Sequence, residues 1–147
     1  MSGAHVDFAS LAVGDALPPL HLQPEYMDLV IYAGTSRDYF IIHHDRDAAR
    51  AAGLPDVIIQ GSLKAGWLGR VVTGPLGEQG VLRELGVQYR GVDVPDRPLT
   101  AGGVLRSREE GSDEDLLRFD LWLENGEGAR TVVGSALVAL PARAAGS

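Results

Sequence analysis

The chain has no cysteine among its 147 residues. That excludes disulfides, thiolate metal ligands and a cysteine nucleophile. Lysine is almost missing too: of 13 basic residues, twelve are arginines and one is Lys64. Arginine in place of lysine, with abundant alanine and glycine, looks like GC-rich coding bias, and no mechanism is drawn from it. Basic charge is in deficit overall, with 20 acidic residues and a formal net charge of −7. The electrostatic footprint of a nucleic-acid binder is therefore lacking. No apolar run approaches the roughly 20 residues that a membrane-spanning helix needs. Residues Met1–Ser10 have neither a basic start nor an apolar stretch, so they do not read as a signal peptide. The expectation from these absences is a cytoplasmic globular protein with no nucleic-acid and no membrane partner.

The length suits one domain, taken here as residues 1–147 with a core over about 17–140. Such a domain buries about 68–70% of the surface its unfolded chain exposes, which is enough for a core without staples. There is no internal repeat and no low-complexity tract. The tails, Met1–Ser10 and Ala142–Ser147, are small and polar and are expected to fray. Leu17–Leu22 reads as an extended opening strand. Pro24 suits the first turn of a helix, where its missing N–H is not needed. Tyr26, Leu29, Val30 and Ala33 give helical spacing, and Gly34-Thr35 is the expected end. Asp45 is a candidate N-cap for a short helix, Arg46–Ala52, closed by Gly53. After the turn Leu54-Pro55-Asp56 comes an apolar run, Val57-Ile58-Ile59-Gln60. Gly61-Ser62 then opens a longer helix over Leu63–Thr73. Its apolar residues cover most of the circumference, which predicts a buried helix stopped by Gly74-Pro75.

Beyond residue 80 the period changes to two. Leu85, Val87 and Tyr89 alternate with Gly86, Gln88 and Arg90. Leu99, Ala101, Gly103 and Leu105 form the next run, and Leu117, Phe119, Leu121 and Leu123 the one after. Asn125-Gly126 is a strong hairpin signal, followed by Val132, Gly134, Ala136, Val138 and Leu140. The second half is thus predicted to be an antiparallel meander of four long strands. Wrapped on one buried helix, it gives an α+β arrangement.

The chemistry-bearing stretch is Arg37-Asp38-Tyr39-Phe40-Ile41-Ile42-His43-His44-Asp45. It sets a carboxylate and an imidazole five residues apart among apolar and aromatic neighbours. Such a pair can share a water and divide proton transfer between its members. Taken alone, the spacing is unspecific, and a capping Asp with a packed His would look the same. His44 would face away from His43 in an extended segment and reads as surface. Asp45 and Asp47 read as caps and solvated charges, and His5 and His21 lack partners in sequence. The adjacent His43-His44 pair does not easily reach one ion, so no metal site is expected. Trp67 and Trp122 suit core or interface. Arg37, Arg46, Lys64, Arg70 and Arg90 are candidates for a local basic rim that would meet an anionic ligand.

Three features together resemble the MaoC-like hot-dog hydratases and dehydratases of acyl thioesters. The first is the run Tyr32-Ala33-Gly34-Thr35-Ser36-Arg37-Asp38 followed by His43, Asp45 and Ala49. The second is Gly61 at the start of the central helix, eighteen residues after His43. The third is Tyr89 ahead of Pro95. Residues 17–140 take part in the likeness. The segments Arg37-Asp38-Tyr39 and His43-His44-Asp45-Arg46-Asp47 are most similar to the small subunits of heteromeric hydratases acting on steroid side chains. The homodimeric fatty-acid hydratases usually carry Asn-Pro where this chain has Phe40-Ile41, and His where it has Gln60.

The resemblance implies a hot-dog fold, an antiparallel sheet wrapped around a helix over residues 62–74. It implies an (R)-type enoyl-CoA hydratase, or the reverse 3-hydroxyacyl-CoA dehydratase, with no cofactor beyond the thioester carrier. Asp38 and His43 would hold the water. The N–H of Gly61, at a helix N-terminus, would form the oxyanion hole, and the absent side chain would let the substrate carbonyl approach. Phe40 and Ile41, with Ile42, would line an apolar wall for a bulky acyl group, and Gln60 and Ser62 would also meet substrate. Ser62 is equally readable as an N-cap. The acyl channel of this family lies between two hot dogs, which implies a homodimer or a heteromer with a second, larger hot-dog chain. Three alternatives stay open: an acyl-carrier-protein dehydratase, a non-catalytic hot-dog subunit, and a hot-dog thioesterase. The last would use a carboxylate on the central helix, and residues 63–73 contain none.

Overall fold

The computed structural model describes residues 6–142. Five strands form one antiparallel sheet: β1 (Leu20–Leu22), β2 (Val81–Tyr89), β3 (Leu99–Glu109), β4 (Glu114–Asn125) and β5 (Arg130–Pro141). Three α-helices, α1 (Tyr26–Ser36), α2 (Arg46–Ala51) and α3 (Gly61–Leu76), lie between β1 and β2. The sheet curls around α3, as the α+β hot-dog expectation requires. Period-two patterning decides which face is buried: Leu117, Phe119, Leu121 and Leu123 of β4 point inward and are buried, as are Val132, Ala136, Val138 and Leu140 of β5. They pack on Trp67, Leu68, Val71, Val72 and Leu76 of α3 in one core. No described helix is long and apolar enough to cross a membrane.

The strand order is β1-β3-β4-β5-β2, so the expected four-strand meander is corrected. β3, β4 and β5 do form a meander, but β2 pairs with β5 at the far edge, with Leu85 opposite Ala136 and Tyr89 opposite Val132. Alternation specifies the buried face of a strand and leaves its neighbour open. The chain leaves β2 and crosses to the opposite side through residues 90–98, and this crossing passes beside the start of α3.

Helix boundaries shift for identifiable reasons. Pro24 lies outside α1, ahead of the N-cap Glu25, whose backbone N–H is met by the Asp28 carboxylate at 2.7 Å. α1 continues past Gly34-Thr35 to Ser36, because the Thr35 and Ser36 hydroxyls donate to the carbonyls of Ile31 and Tyr32. α2 begins as expected, with the Asp45 side chain accepting from Ala48 N–H at 2.9 Å. α3 runs through Gly74-Pro75 to Leu76. Proline keeps a helical φ and loses only one bond in the last turn, and Leu76 is buried. The β4–β5 hairpin is present, but it closes over a longer loop than the Asn-Gly pair suggests. Asn125 Oδ1 accepts from the N–H groups of Glu127 and Ala129, and Gly128 takes the left-handed conformation at φ 81°.

The frayed N-terminal tail is also corrected for the described residues. Phe8–Ser10 form a 3-10 turn capped by Asp7. Phe8 is fully buried against Phe119, with ring centroids 5.8 Å apart. The Gln79 amide holds both Phe8 N–H and Val6 C=O, and Arg108 bridges Ala9 C=O to the buried Asp115 carboxylate. The signal in sequence was a single phenylalanine in a polar stretch, too little to outweigh its composition. At the other end, Ala142 N–H reaches Asp113 C=O. Residues 1–5, with His5, and 143–147 lie outside the described residues. Phe8→Ala is expected to lower unfolding free energy by about 3–5 kcal/mol. Urea titration checks this, and a loss below about 1 kcal/mol would mean that the turn is peripheral.

Candidate active site

α1 ends on Arg37, a non-glycine residue in the left-handed region at φ 61°, and this reversal turns the chain toward Asp38. Asp38 is held locally: its N–H donates to Ser36 Oγ, and its Oδ1 accepts from Phe40 N–H. Residues Ile41–His43 then make one 3-10 turn that carries His43 inward, where it is 7% exposed. His43 Nδ1 lies 2.6 Å from the backbone carbonyl of Ile58. A carbonyl only accepts, so Nδ1 carries a proton, and the neutral ring presents its lone pair at Nε2. Nε2 faces Asp38 Oδ2 at 3.6 Å, beyond direct hydrogen-bond distance. The structure thus brings together the two residues that the sequence paired. The Asp38 side chain is 37% exposed, so the pair is reachable from solvent on the carboxylate side.

The segment Ile58-Ile59-Gln60-Gly61 links this pair to the N-terminus of α3. Ile58 N–H donates to Ile42 C=O, while Ile58 C=O takes the His43 proton, so the two segments are bonded in both directions. Three residues on, Gly61 is the first residue of α3, and no side chain caps that end. Its N–H is one of the orphan donors at a helix start, at the positive end of the helix dipole.

The missing Gly61 side chain also makes room for a neighbour within the chain. A Cβ at Gly61 would lie 3.0 Å from Cζ of Tyr89, so the small residue admits the Tyr89 ring. The Tyr89 phenol is pushed above its ordinary pKa, first by burial and then by Tyr32 nearby; like any tyrosine near neutral pH it is protonated and able to donate. Tyr32 OH and Ser62 Oγ are 3.0 Å apart, which occupies Ser62 with a partner other than a cap. Around the start of α3 there are therefore two phenols, the Ser62 hydroxyl and the uncapped N–H groups of the first helical turn, Gly61 N–H among them.

Gln60 is not accessible. It is fully buried, its Nε2 donates to Leu29 C=O at 2.9 Å, and it ties α3 to α1; its Oε1 has no partner. A direct contact of its side chain with substrate is thus replaced by a tethering role. Phe40 and Ile41 are 60% and 46% exposed, next to the equally open Tyr39, and Phe40 meets the His43 ring edge-on. The apolar wall exists but is uncovered. A groove of about 360 Å³ opens between α1 and α3, lined by residues that include Ile31, Tyr32, Leu63 and Trp67. Asp38 and His43 do not line it.

The basic rim is reduced. Lys64 is buried against Asp93, and Arg46 pairs with Asp56 while stacking on Tyr26. Arg37, Arg70 and Arg90 are exposed. His44 is half-buried, with its Nε2 at Tyr39 C=O, and His21 contacts Thr100 across the sheet. Among the described residues no group of three or more His, Asp or Glu side chains is placed to hold an ion. Sequence reasoning missed the Tyr89–Gly61 contact and the buried partner of Lys64. The second had a signal: one lysine in a helix otherwise predicted to be buried needs an acid beside it.

The family model for the MaoC like domain matches residues 12–105, a stretch that holds Asp38, His43, Gly61 and Tyr89. This chain belongs to the MaoC-like family. Among its relatives is the 3-oxo-4,17-pregnadiene-20-carboxyl-CoA hydratase beta subunit of Mycobacterium tuberculosis, 33% identical over 76 residues. That match spans 52% of this chain and 59% of the relative. In three dimensions the chain resembles the ChsH1-ChsH2 complex from Mycobacterium tuberculosis, with 25% identity, a TM-score of 0.79 and coverage of 88% of this chain and 98% of that one. It also shares its fold with the (R)-hydratase from A. caviae involved in PHA biosynthesis, at TM-score 0.81, 21% identity and coverage of 90% and 98%. The α+β fold is therefore a hot dog, and the MaoC-like family is one of hydratases and dehydratases.

Proposed function

We propose that this protein is an enoyl-CoA hydratase, acting reversibly as a 3-hydroxyacyl-CoA dehydratase, with Asp38 and His43 as its catalytic pair. The observation that carries this reading is the His43 geometry: Nδ1 is locked on Ile58 C=O, and Nε2 faces the Asp38 carboxylate across 3.6 Å. A water held between Asp38 Oδ2 and His43 Nε2 gives up one proton to the pair as its oxygen bonds to C3 of the enoyl thioester. The C2–C3 π electrons move toward the thioester carbonyl, whose oxygen becomes negative. The Gly61 N–H, uncapped at the start of α3, donates to that oxygen, and the charge it meets develops mainly in the transition state. A proton from the pair then goes to C2 on the same face, restoring the carbonyl. No cofactor is needed beyond the CoA carrier.

The substrate class is a bulky, ring-bearing acyl-CoA. The relative's steroid-type substrate supports this, as does the apolar Tyr39-Phe40-Ile41 surface beside the pair. The site is completed by a second hot-dog chain. β2 is an edge strand, with Val81, Leu85 and Tyr89 exposed, and Tyr89 reaches the site from that edge. A relative named as a beta subunit and a structural neighbour solved as a complex favour a heteromer.

The test follows loss of enoyl absorbance with crotonyl-CoA and with a ring-bearing enoyl-CoA, using the chain alone and co-purified with hot-dog partners. Hydration is expected with the ring-bearing substrate, and faster with a partner present. Inertness on both substrates in every pairing would replace this reading with that of a non-catalytic subunit.

A further inference from the structure

Lys64 and Asp93 form an ion pair at 2.9 Å in the interior, and they are 3% and 5% exposed. Lys64 Nζ also donates to Gly91 C=O at 3.0 Å, and Thr131 Oγ1 donates to the same Asp93 oxygen at 2.6 Å. Lys64 and Thr131 both bond to Asp93 Oδ2, yet an isolated buried pair is a poor source of stability. Desolvating two charges offsets most of their attraction, and apolar replacements of similar volume often do as well. The placement of the pair accounts for it better than stability does.

Asp93 faces two ways. Its carboxylate meets Lys64 on α3 and Thr131 on β5, and its backbone carbonyl accepts Ile59 N–H at 2.8 Å. Ile59 follows Ile58, whose carbonyl fixes His43 Nδ1 at 2.6 Å, and precedes Gln60-Gly61. Lys64 is one helical turn beyond Gly61, and its ammonium lies 5.8 Å from the centre of the Tyr89 ring that crosses Gly61. One buried cluster therefore secures the crossing segment, and that segment secures both the histidine and the helix start.

We propose that the Lys64–Asp93–Thr131 network is a positioning device for the active site, clamping the Ile58–Gly61 strap so that the His43 ring and the Gly61 N–H are held in register. None of the three residues touches substrate in this account. They act through Ile59 and Ile58 on His43, and through α3 on Gly61. The kinetic part of the claim rests on the hydratase reading, and its structural part does not.

The test compares wild type with the paired replacement Lys64→Met with Asp93→Leu, in the active assembly, by thermal unfolding, steady-state hydration and NMR of the His43 ring. An apolar pair restores packing without the clamp. The expected result is a melting temperature near wild type, a kcat lowered roughly 10- to 100-fold, and KM within about twofold. The His43 Nδ1 proton, bonded to Ile58 C=O, is expected to give a slowly exchanging signal in wild type and a shifted or absent one in the double variant. Wild-type kcat together with an unchanged Nδ1 proton in the folded double variant would overturn the proposal. If the double variant does not fold, Thr131→Val decides by the same readouts, with Thr131→Ser expected to restore them. If wild type has no hydratase activity, the functional reading fails on its own, and the NMR comparison still decides whether the network holds His43.

Discussion

Replacing Asp38 by asparagine or His43 by glutamine is expected to lower kcat for enoyl-CoA hydration by about 10²–10⁴-fold, the range for removing a positioned acid or base. KM should change little, because neither group is asked to bind the acyl chain. Asparagine keeps the Oδ1 contact with Phe40 N–H, and Asp38 is partly exposed, so the fold should survive. Glutamine at 43 forfeits the bond to Ile58 C=O, a modest loss of about 0.5–1.5 kcal/mol. The double variant should be little worse than either single one, since residues acting as a unit are not additive. Steady-state rates at the enoyl absorbance measure this. Retention of more than about a tenth of wild-type kcat in either variant, a barrier change under about 1.4 kcal/mol, would remove the pair from the mechanism.

The second large effect comes from a comparison at Gly61. Gly61→Pro removes the N–H without adding strain to the helix. Gly61 is the first residue of α3, where proline is well tolerated, and Gln60 already has the extended backbone that a following proline requires, with φ −57° and ψ 135°. Proline also adds a Cβ that crowds Tyr89 at 3.0 Å. Gly61→Ala adds the same Cβ and keeps the donor, so the ratio between the two variants isolates the N–H. That ratio is expected to be about 10²–10³ in kcat, the effect of losing one oxyanion donor. Both variants should melt at similar temperatures. Equal kcat values for proline and alanine would mean that the oxyanion is stabilised elsewhere, and the Tyr89 phenol, which lies against Gly61, would be the next donor to examine.

Much of this site was legible because its parts are local. Asp38 and His43 are separated by one short loop, and a single 3-10 turn suffices to face them toward each other. Asp45 caps α2 through a bond to Ala48, three residues away, a distance at which side-chain chemistry dictates structure. Alternation in β4 and β5 marked the buried face, because buried Leu117, Phe119 and Leu121 alternate with less buried residues, the polar Arg118 and Asp120 among them. What was not legible depends on pairings across long separations. The placement of β2 beside β5 brings Tyr89 over Gly61, 28 positions earlier in the chain, and no periodicity encodes that. Gln60 carries the same polar amide whether it faces substrate or Leu29, and only the packing of α1 against α3 decides. Lys64 reads in sequence as a surface base because lysines usually are, while Asp93 and Thr131 stand 29 and 67 positions away. Phe8 was hidden by its small and polar neighbours and is held by Phe119 of β4, Arg108 of β3 and Gln79 in the turn after α3.

The central claim is that one water is divided by Asp38 and His43 across the double bond, oxygen to C3 and hydrogen to C2 on the same face. Its most direct test is to run the hydration in ¹⁸O-labelled water and, separately, in D₂O, and to analyse the 3-hydroxyacyl product by mass spectrometry and NMR. The expected product is the (R)-3-hydroxyacyl-CoA with ¹⁸O at C3 and one deuterium at C2 added from the same side, formed by wild type and lost in both Asp38→Asn and His43→Gln. The opposite face of addition, or the same labelled product at undiminished rate from the variants, would contradict it.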